Sequence, residues 1–260
     1  MSIKDNFDLK KKIIILTGAN GFLAKNFINE ILKYNGKLIL IDKDKLHVKK
    51  NKNLFFFKCD LSNESKVKKV FKSIKTKIGV PDILINNAAM NPSIKNIKKN
   101  DFSLENFSKN YWEKDIAHSL TTAFLCTKYF GKIQSSKKRC ILNISSDLGL
   151  IAPNQEIYKN KKNSFYKPVS YSVVKHGIIG LTKYTSTFWC KKNIRCNAVA
   201  FGGVYKNQNK NFVNKLSKLI PIGRMAQQDE YNSTLIYLIS DASSYMNGAV
   251  LVVDGGRTAW

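Results

Sequence analysis

The stretch "YSVVK", residues 171–175, puts a phenol and an ammonium four residues apart. On a helix that spacing places Tyr171 and Lys175 on one face. The chemistry open to such a pair is proton transfer. A free tyrosine titrates near pH ~10 and is a poor base at neutrality. A cation about 4 Å away, at an effective dielectric near 20, favours the phenolate by about 4 kcal/mol before solvent costs. That equals roughly two to three pKa units. An ordinary amphipathic helix produces the same spacing by chance, so the rest of the chain must supply a reason for the pair.

A second candidate is "TGANGFLAKN", where Gly18 and Gly21 fall at the change from an apolar run to a helical pattern. Glycine there permits a tight turn and lets the backbone approach a pyrophosphate at a helix N-terminus. Ala24 replaces a third glycine and still allows close packing. Asp42 follows 24 residues after Gly18, at the end of the next apolar run. A carboxylate there accepts hydrogen bonds from both ribose hydroxyls and repels a 2′-phosphate, which favours NAD over NADP. Lys43 beside it works the other way. Asp60 closes a third run and is placed to meet an adenine edge. Acids also end strands simply as helix N-caps. The expected cofactor contacts are Gly18, Asn20, Gly21, Phe22 and Leu23 in the turn, and Asp42, Asp60 and Leu61 at the later strand ends.

These residues need elements to hold them. Seven short apolar segments read as strands: "KIIILTG", "KLILID", "LFFFKCD", "DILINNA", "CILNISS", "IRCNAVA" and "GAVLVVDGG". Continuous apolar runs of this kind suit parallel strands buried on both faces. Helical patterns lie between them near 22–34, after Asp60, and near 110–134, 170–191 and 228–240. The alternation predicts an α/β fold with helices on both faces of a parallel sheet. No linker or internal repeat divides the chain, so residues 1–260 read as a single domain. The one loose region is 154–168, "NQEIYKNKKNSFYKP", polar and without periodicity.

Composition sets the outer bounds. The chain is 43% hydrophobic, enough for a full core. No apolar run approaches a membrane span, and "MSIKDNFDLKKK" lacks the apolar stretch of a secretory signal. Five cysteines form no CxxC pair. Buried free thiols in a reducing cytoplasm are expected, and no metal site. The net charge is +26, yet only four arginines contribute and the lysines are scattered. A specific nucleic-acid surface interleaves arginine with aromatic residues, so that reading is set aside. An anionic small-molecule substrate is a milder use of the same field.

Taken in order, "TGANGFLA", "NNAA" (86–89), "NISS" (143–146), "YSVVK", "RCNAVAFGG" (195–203) and "VDGG" (253–256) resemble the short-chain dehydrogenase/reductase family along essentially the whole chain. The resemblance implies a three-layer Rossmann fold with a seven-stranded parallel sheet in the order 3-2-1-4-5-6-7. It implies that Tyr171 is the general acid/base, and that Lys175 lowers its pKa and binds the nicotinamide ribose. Ser146 holds the substrate oxygen. Asn87, Ala88 and Ala89 line the cofactor, and Gly202 and Val204 lie by the nicotinamide. The family's relay asparagine is replaced by Ser119, whose shorter side chain weakens the expected proton relay. His118 beside it faces elsewhere on the helix. The usual Pro-Gly after the sixth strand reads Phe201-Gly202.

More residues separate Ser146 from Tyr171 than the family commonly has, and the excess is the 154–168 stretch. It is expected to shape the substrate pocket or to form a lid; the alternative is a surface insertion. The wider pattern is similar to a bacterial subgroup tied to surface-glycan and flagellin-modification sugars. That implies an amino sugar, sugar phosphate or nucleotide sugar as substrate, with Asn91, Gln155 and Tyr205 at the pocket mouth. One alternative is an acyl-carrier-protein ketoreductase, whose acidic carrier suits a basic surface but whose usual NADPH conflicts with Asp42. Another is an NAD-binding relative without turnover. The family also implies homo-oligomers, dimers or tetramers, paired through the helices near 110–134 and 170–191.

Overall fold

The structure is a computed structural model that describes residues 3–46, 51–90, 102–159 and 165–260. Its centre is a parallel sheet of β1 (Ile13–Thr17), β2 (Lys37–Asp42), β3 (Leu54–Lys58), β4 (Ile83–Asn86), β5 (Arg139–Ser146), β6 (Ile194–Phe201) and β7 (Val250–Val253). The order across the sheet is β3-β2-β1-β4-β5-β6-β7, as the family resemblance implied. The chain builds outward from β1 to β3, then returns to the other side of β1 to place β4. The strand order therefore reverses between β1 and β4, where open α/β sheets leave a crevice at their carboxyl ends.

Alternate residues of each strand feed opposite cores, as the period of two requires. On one face Ile14 and Leu16 of β1 pack with Phe27 and Ile31 of α2 (Ala24–Lys33) and with Leu235 and Ile239 of α8 (Asn232–Ile239). On the other, Ile15 joins Phe71 and Ile74 of α3 (Glu64–Lys77) and Leu125 and Phe130 of α5 (Thr122–Lys132). With helices on both faces the central strands lose contact with water, which is why β1, β2 and β4 read as unbroken apolar runs.

Two differences from the sequence reading bear on the site. The helix expected near 110–134 is not one continuous α-helix. It runs as α4 (Lys109–Ile116), one π-turn over Ala117–Thr121, and α5. The expected helix at 170–191 is α6 (Val169–Phe188). A short α1 (Ile3–Asn6) and α7 (Lys210–Ser217) were not anticipated, and α7 carries weight below. Of the five cysteines, four are buried but Cys190 is exposed, and all are free thiols. Among the described residues no helix is long and apolar enough to cross a membrane.

Candidate active site

The glycine turn sits at the switch point. Gly18 has φ +67°, and a Cβ there would come within 2.7 Å of the Ala88 Cα. Only glycine lets the end of β1 approach the end of β4 this closely. Thr17 and Asn87 lock the two ends together. Thr17 Oγ1 accepts from the Asn87 and Ala88 N–H groups at 3.0 and 3.1 Å. Asn87 Nδ2 donates to the Thr17 and Gly18 carbonyls, both at 3.1 Å. The α2 N-terminus behind Phe22 and Leu23 carries no side-chain cap, so its first N–H groups stay unpaired by the helix.

Asp42 is 9% exposed at the end of β2. Its Oδ2 accepts from Asn20 N at 2.9 Å and its Oδ1 from Asp44 N at 3.0 Å. The carboxylate thus fixes the glycine turn as well as facing the crevice. A cavity of about 110 Å³ opens there, lined by Gly18, Asp42, Asp60, Leu61, Ala88 and Ala89 among others. Asp60 accepts from Ser62 N at 3.1 Å and Ser62 Oγ at 2.7 Å, and the hydroxyl's hydrogen bond holds its carboxyl below the usual range. His118 also lines this cavity, its Nδ1 3.9 Å from Asp60 Oδ1. Sequence reading had set His118 aside as facing away from the relay. The glycine cradle and this acid-lined cavity fit the adenosine half of a dinucleotide.

At the neighbouring strand end Ser146, Tyr171 and Lys175 come together. Lys175 is 6% exposed, and its Nζ donates to the Ile144 carbonyl at 3.0 Å, 5.7 Å from the Tyr171 ring centroid. Ser146 Oγ donates to Asp147 Oδ1 at 2.7 Å and accepts from Leu148 N at 3.2 Å. The lowered tyrosine pKa expected from Lys175 is not what the surroundings produce. Burial pushes Tyr171 up to about 12, with Asp147 and Asp115 adding to the rise and a hydrogen bond with Ser146 pulling it back. Lys175 is itself drawn down to about 8, first by burial and then by the nearby charge of Lys167. Desolvation outweighs attraction because both partners are sequestered from water.

Two carboxylates missing from the sequence reading organise this centre. Asp115, 1% exposed in the last turn of α4, accepts from Ser119 Oγ at 3.0 Å and Ser170 Oγ at 2.6 Å. The Ser119 hydroxyl, which also accepts from Met90 N at 3.0 Å, is therefore engaged by Asp115 rather than turned to Lys175. Asp147 pairs through Oδ2 with Arg257 Nη1 at 2.5 Å, both side chains about 95% buried or more. The available signal was the rarity of arginine: one of only four follows directly on "VDGG".

The insertion has an anchored root rather than a wholly polar character. Ile157 is 4% exposed and packs with Leu216, Ile220 and Met225, and Lys215 of α7 donates to the Glu156 and Lys159 carbonyls at 3.0 and 2.8 Å. Phe165 packs edge-on to Phe102 and Tyr158. Gln155 closes the root: its Oε1 accepts from Lys167 N at 2.9 Å and its Nε2 donates to Lys167 O at 3.3 Å. Gln155 also lines a cavity of about 450 Å³ between the insertion and the Phe102 segment. Tyr205 is exposed on the loop after β6 and is not part of that lining, while Asn91 lies outside the described residues. Gly202 packs against Asp254, its carbonyl accepting from Tyr231 Oη at 3.0 Å, and Val204 pairs with Ala226.

A doubly wound α/β sheet with its reactive side chains gathered at the carboxyl edge defines a nucleotide-binding enzyme class. The profile of the enoyl-(acyl carrier protein) reductase family matches residues 40–258, and the chain belongs to the short-chain dehydrogenase/reductase family, oxidoreductases acting on CH–OH groups. Among its relatives is an NADH-dependent L-xylulose reductase of Ambrosiozyma monospora, 29% identical, with 95% of each chain covered. Post-translational flagellin modification protein A of Campylobacter coli is also 29% identical, over 95% of this chain and 98% of that one. A short-chain dehydrogenase of Leptospira borgpetersenii, crystallised with bound NAD+, superposes with TM-score 0.88 at 26% identity, covering 99% and 97% of the two chains.

Proposed function

We propose that this chain interconverts a secondary alcohol and a ketone on a polar sugar derivative, with NAD(H) as its hydride carrier. The observation that carries the reading is the convergence of Ser146, Tyr171 and Lys175 beside the cavity that holds Asp42. Gly18, Asn20, Gly21, Phe22 and Leu23 would hold the pyrophosphate, Asp42 the adenosine ribose, and Asp60, Leu61 and Asn87 to Ala89 the adenine side. Gly202 and Val204 would flank the nicotinamide ring, and Lys175 its ribose. When bound, the dinucleotide supplies or accepts a hydride at the substrate carbon. Tyr171 moves the matching proton at the substrate oxygen, and Ser146 orients that oxygen. Ser119 acts through its hydrogen bonds with Asp115 and Met90 N.

The sugar-derivative reading rests on the flagellin-modification and xylulose-reductase relatives and on the polar insertion. A second reading, an acyl-carrier-protein reductase, is favoured by the family profile's description and the +26 charge. Asp42 weighs against it through the cofactor. A cytoplasmic, single-domain homo-oligomer completes the proposal. The test is a cofactor-reduction screen over sugars, amino sugars, sugar phosphates and nucleotide sugars, with an acyl-carrier-protein thioester beside them. Turnover of the thioester alone, with NADPH, would overturn the sugar reading.

A further inference from the structure

Lys167 and Lys175 both stand beside Tyr171, with Asp115 and Asp147 the carboxylates that act on it. Both carboxylates are committed elsewhere. Asp115 is bonded to Ser119 and Ser170, and Asp147 to Ser146, Leu148 and Arg257. Lys175 donates to a backbone carbonyl. Lys167 is left with no ion pair among the described residues, and its Nζ lies 3.6 Å from the Tyr171 ring centroid. Burial draws it down to about 8, still a cation at neutrality, while Asp147 and Asp115 act from a distance.

Lys167 is also rigidly placed. Both its backbone polar groups are clamped by the Gln155 amide, and Pro168 and the first turn of α6 follow directly. It forms part of the wall of the 450 Å³ cavity together with Gln155, Tyr166 and Ser172, and with Glu105 as the one carboxylate of that lining. Among the described residues Ser172 Oγ is buried with no hydrogen-bond partner, a donor left unmatched one residue from Tyr171. A clamped ammonium without an ion pair and an unmatched hydroxyl share one chemical complement, an anion.

We propose that the substrate carries an anionic group, a carboxylate or a phosphate ester, and that Lys167 receives it beside Tyr171. This deepens the function proposed above and rests on it for the reacting alcohol. The lysine selects the substrate by charge and leaves proton transfer to Tyr171.

Glucose, gluconate and glucose 6-phosphate serve as probes of neutral, carboxylate and phosphate chemistry. Binding is read by ligand-observed NMR on the chain saturated with NAD+, and turnover by NADH formation. The expected result is binding of one or both anions but not of glucose, lost in Lys167→Gln and kept in Lys167→Arg. Any measurable turnover should show the ratio of anionic to neutral kcat/KM falling at least about ten-fold in Lys167→Gln. Equal binding of glucose, no binding of either anion, or equal losses for all probes would overturn the proposal. Anion binding that depends on Lys167 without any NADH formation would leave this site standing and tell against the sugar alcohol proposed as the reacting group. NADH binding without anion binding would do the reverse.

Discussion

Tyr171 carries a demand that its surroundings alone do not meet. At about 12 its phenol is protonated at neutrality, which suits ketone reduction. Alcohol oxidation needs the phenolate, whose fraction grows as pH rises toward that value. Oxidation rates are therefore expected to climb from neutral pH into the alkaline range, and Tyr171→Phe to abolish both the climb and at least ~10²-fold of kcat while NADH binding survives. Stopped-flow rates and fluorescence titration check the two halves. Lys175 makes a separate prediction about stability. Its folded pKa near 8 lies below its ordinary 10.5, so between those values the unfolded chain binds more protons and stability rises with pH. Lys175→Met removes that slope, and urea midpoints at both ends of the window should show the wild type gaining on the variant. At Asp42, replacement by Ala should weaken NAD+ binding and narrow its margin over NADP+, read by titration. The positions of Ser146, Tyr171 and Lys175 were legible because Ser146 closes β5 and the other two stand one helical turn apart near the start of α6. Asp115 was not, because its meaning lies in a contact made 55 residues away, while Lys167 stood out only as one of several lysines in the 154–168 stretch until its clamp by Gln155 distinguished it.

The elements were mostly readable because their apolar patterns are long and their order is simple. All seven strands appear where the apolar runs stand, although Asn143 and Asn197 interrupt β5 and β6. The helix near 110–134 was harder, because a π-turn leaves the apolar spacing intact on either side while adding a residue between them. The insertion misled for a different reason. Its lysines and asparagines hide one buried position, Ile157, whose packing onto α7 cannot be seen without knowing that α7 exists. Tyr158 and Phe165, the aromatic residues a lid would bring to a substrate, are instead occupied with Phe212 and Phe102. Ile157→Ala should loosen this root at a cost of about 2–5 kcal/mol to its local packing. Limited proteolysis should then cut within 154–168 faster, the substrate KM should rise, and NADH affinity should hold. Unchanged proteolysis would show that the insertion draws its order from elsewhere.

At the scale of the molecule, α5 and α6 leave an apolar strip uncovered. Phe124, Val173, Tyr184 and Phe188 are 39–66% exposed, and Tyr184 and Phe188 stack at 5.5 Å. Exposed aromatic surface of this kind marks contact with another chain. A homo-oligomer is expected through these helices, and Tyr184→Glu with Phe188→Glu should lower the mass seen by light scattering at both low and high salt. A wild-type monomer in both conditions would refute it. The pair between Asp147 and Arg257 spans 110 residues and reaches a different kind of consequence. A ribosome delivers the carboxylate long before its counter-ion. Until Arg257 emerges, β5 would have to bury an uncompensated charge at the catalytic edge, so the nascent chain has reason to keep that edge open. Closure of the reactive centre therefore waits on a residue made 110 positions after the carboxylate, and the order of translation itself weighs against a half-made active site.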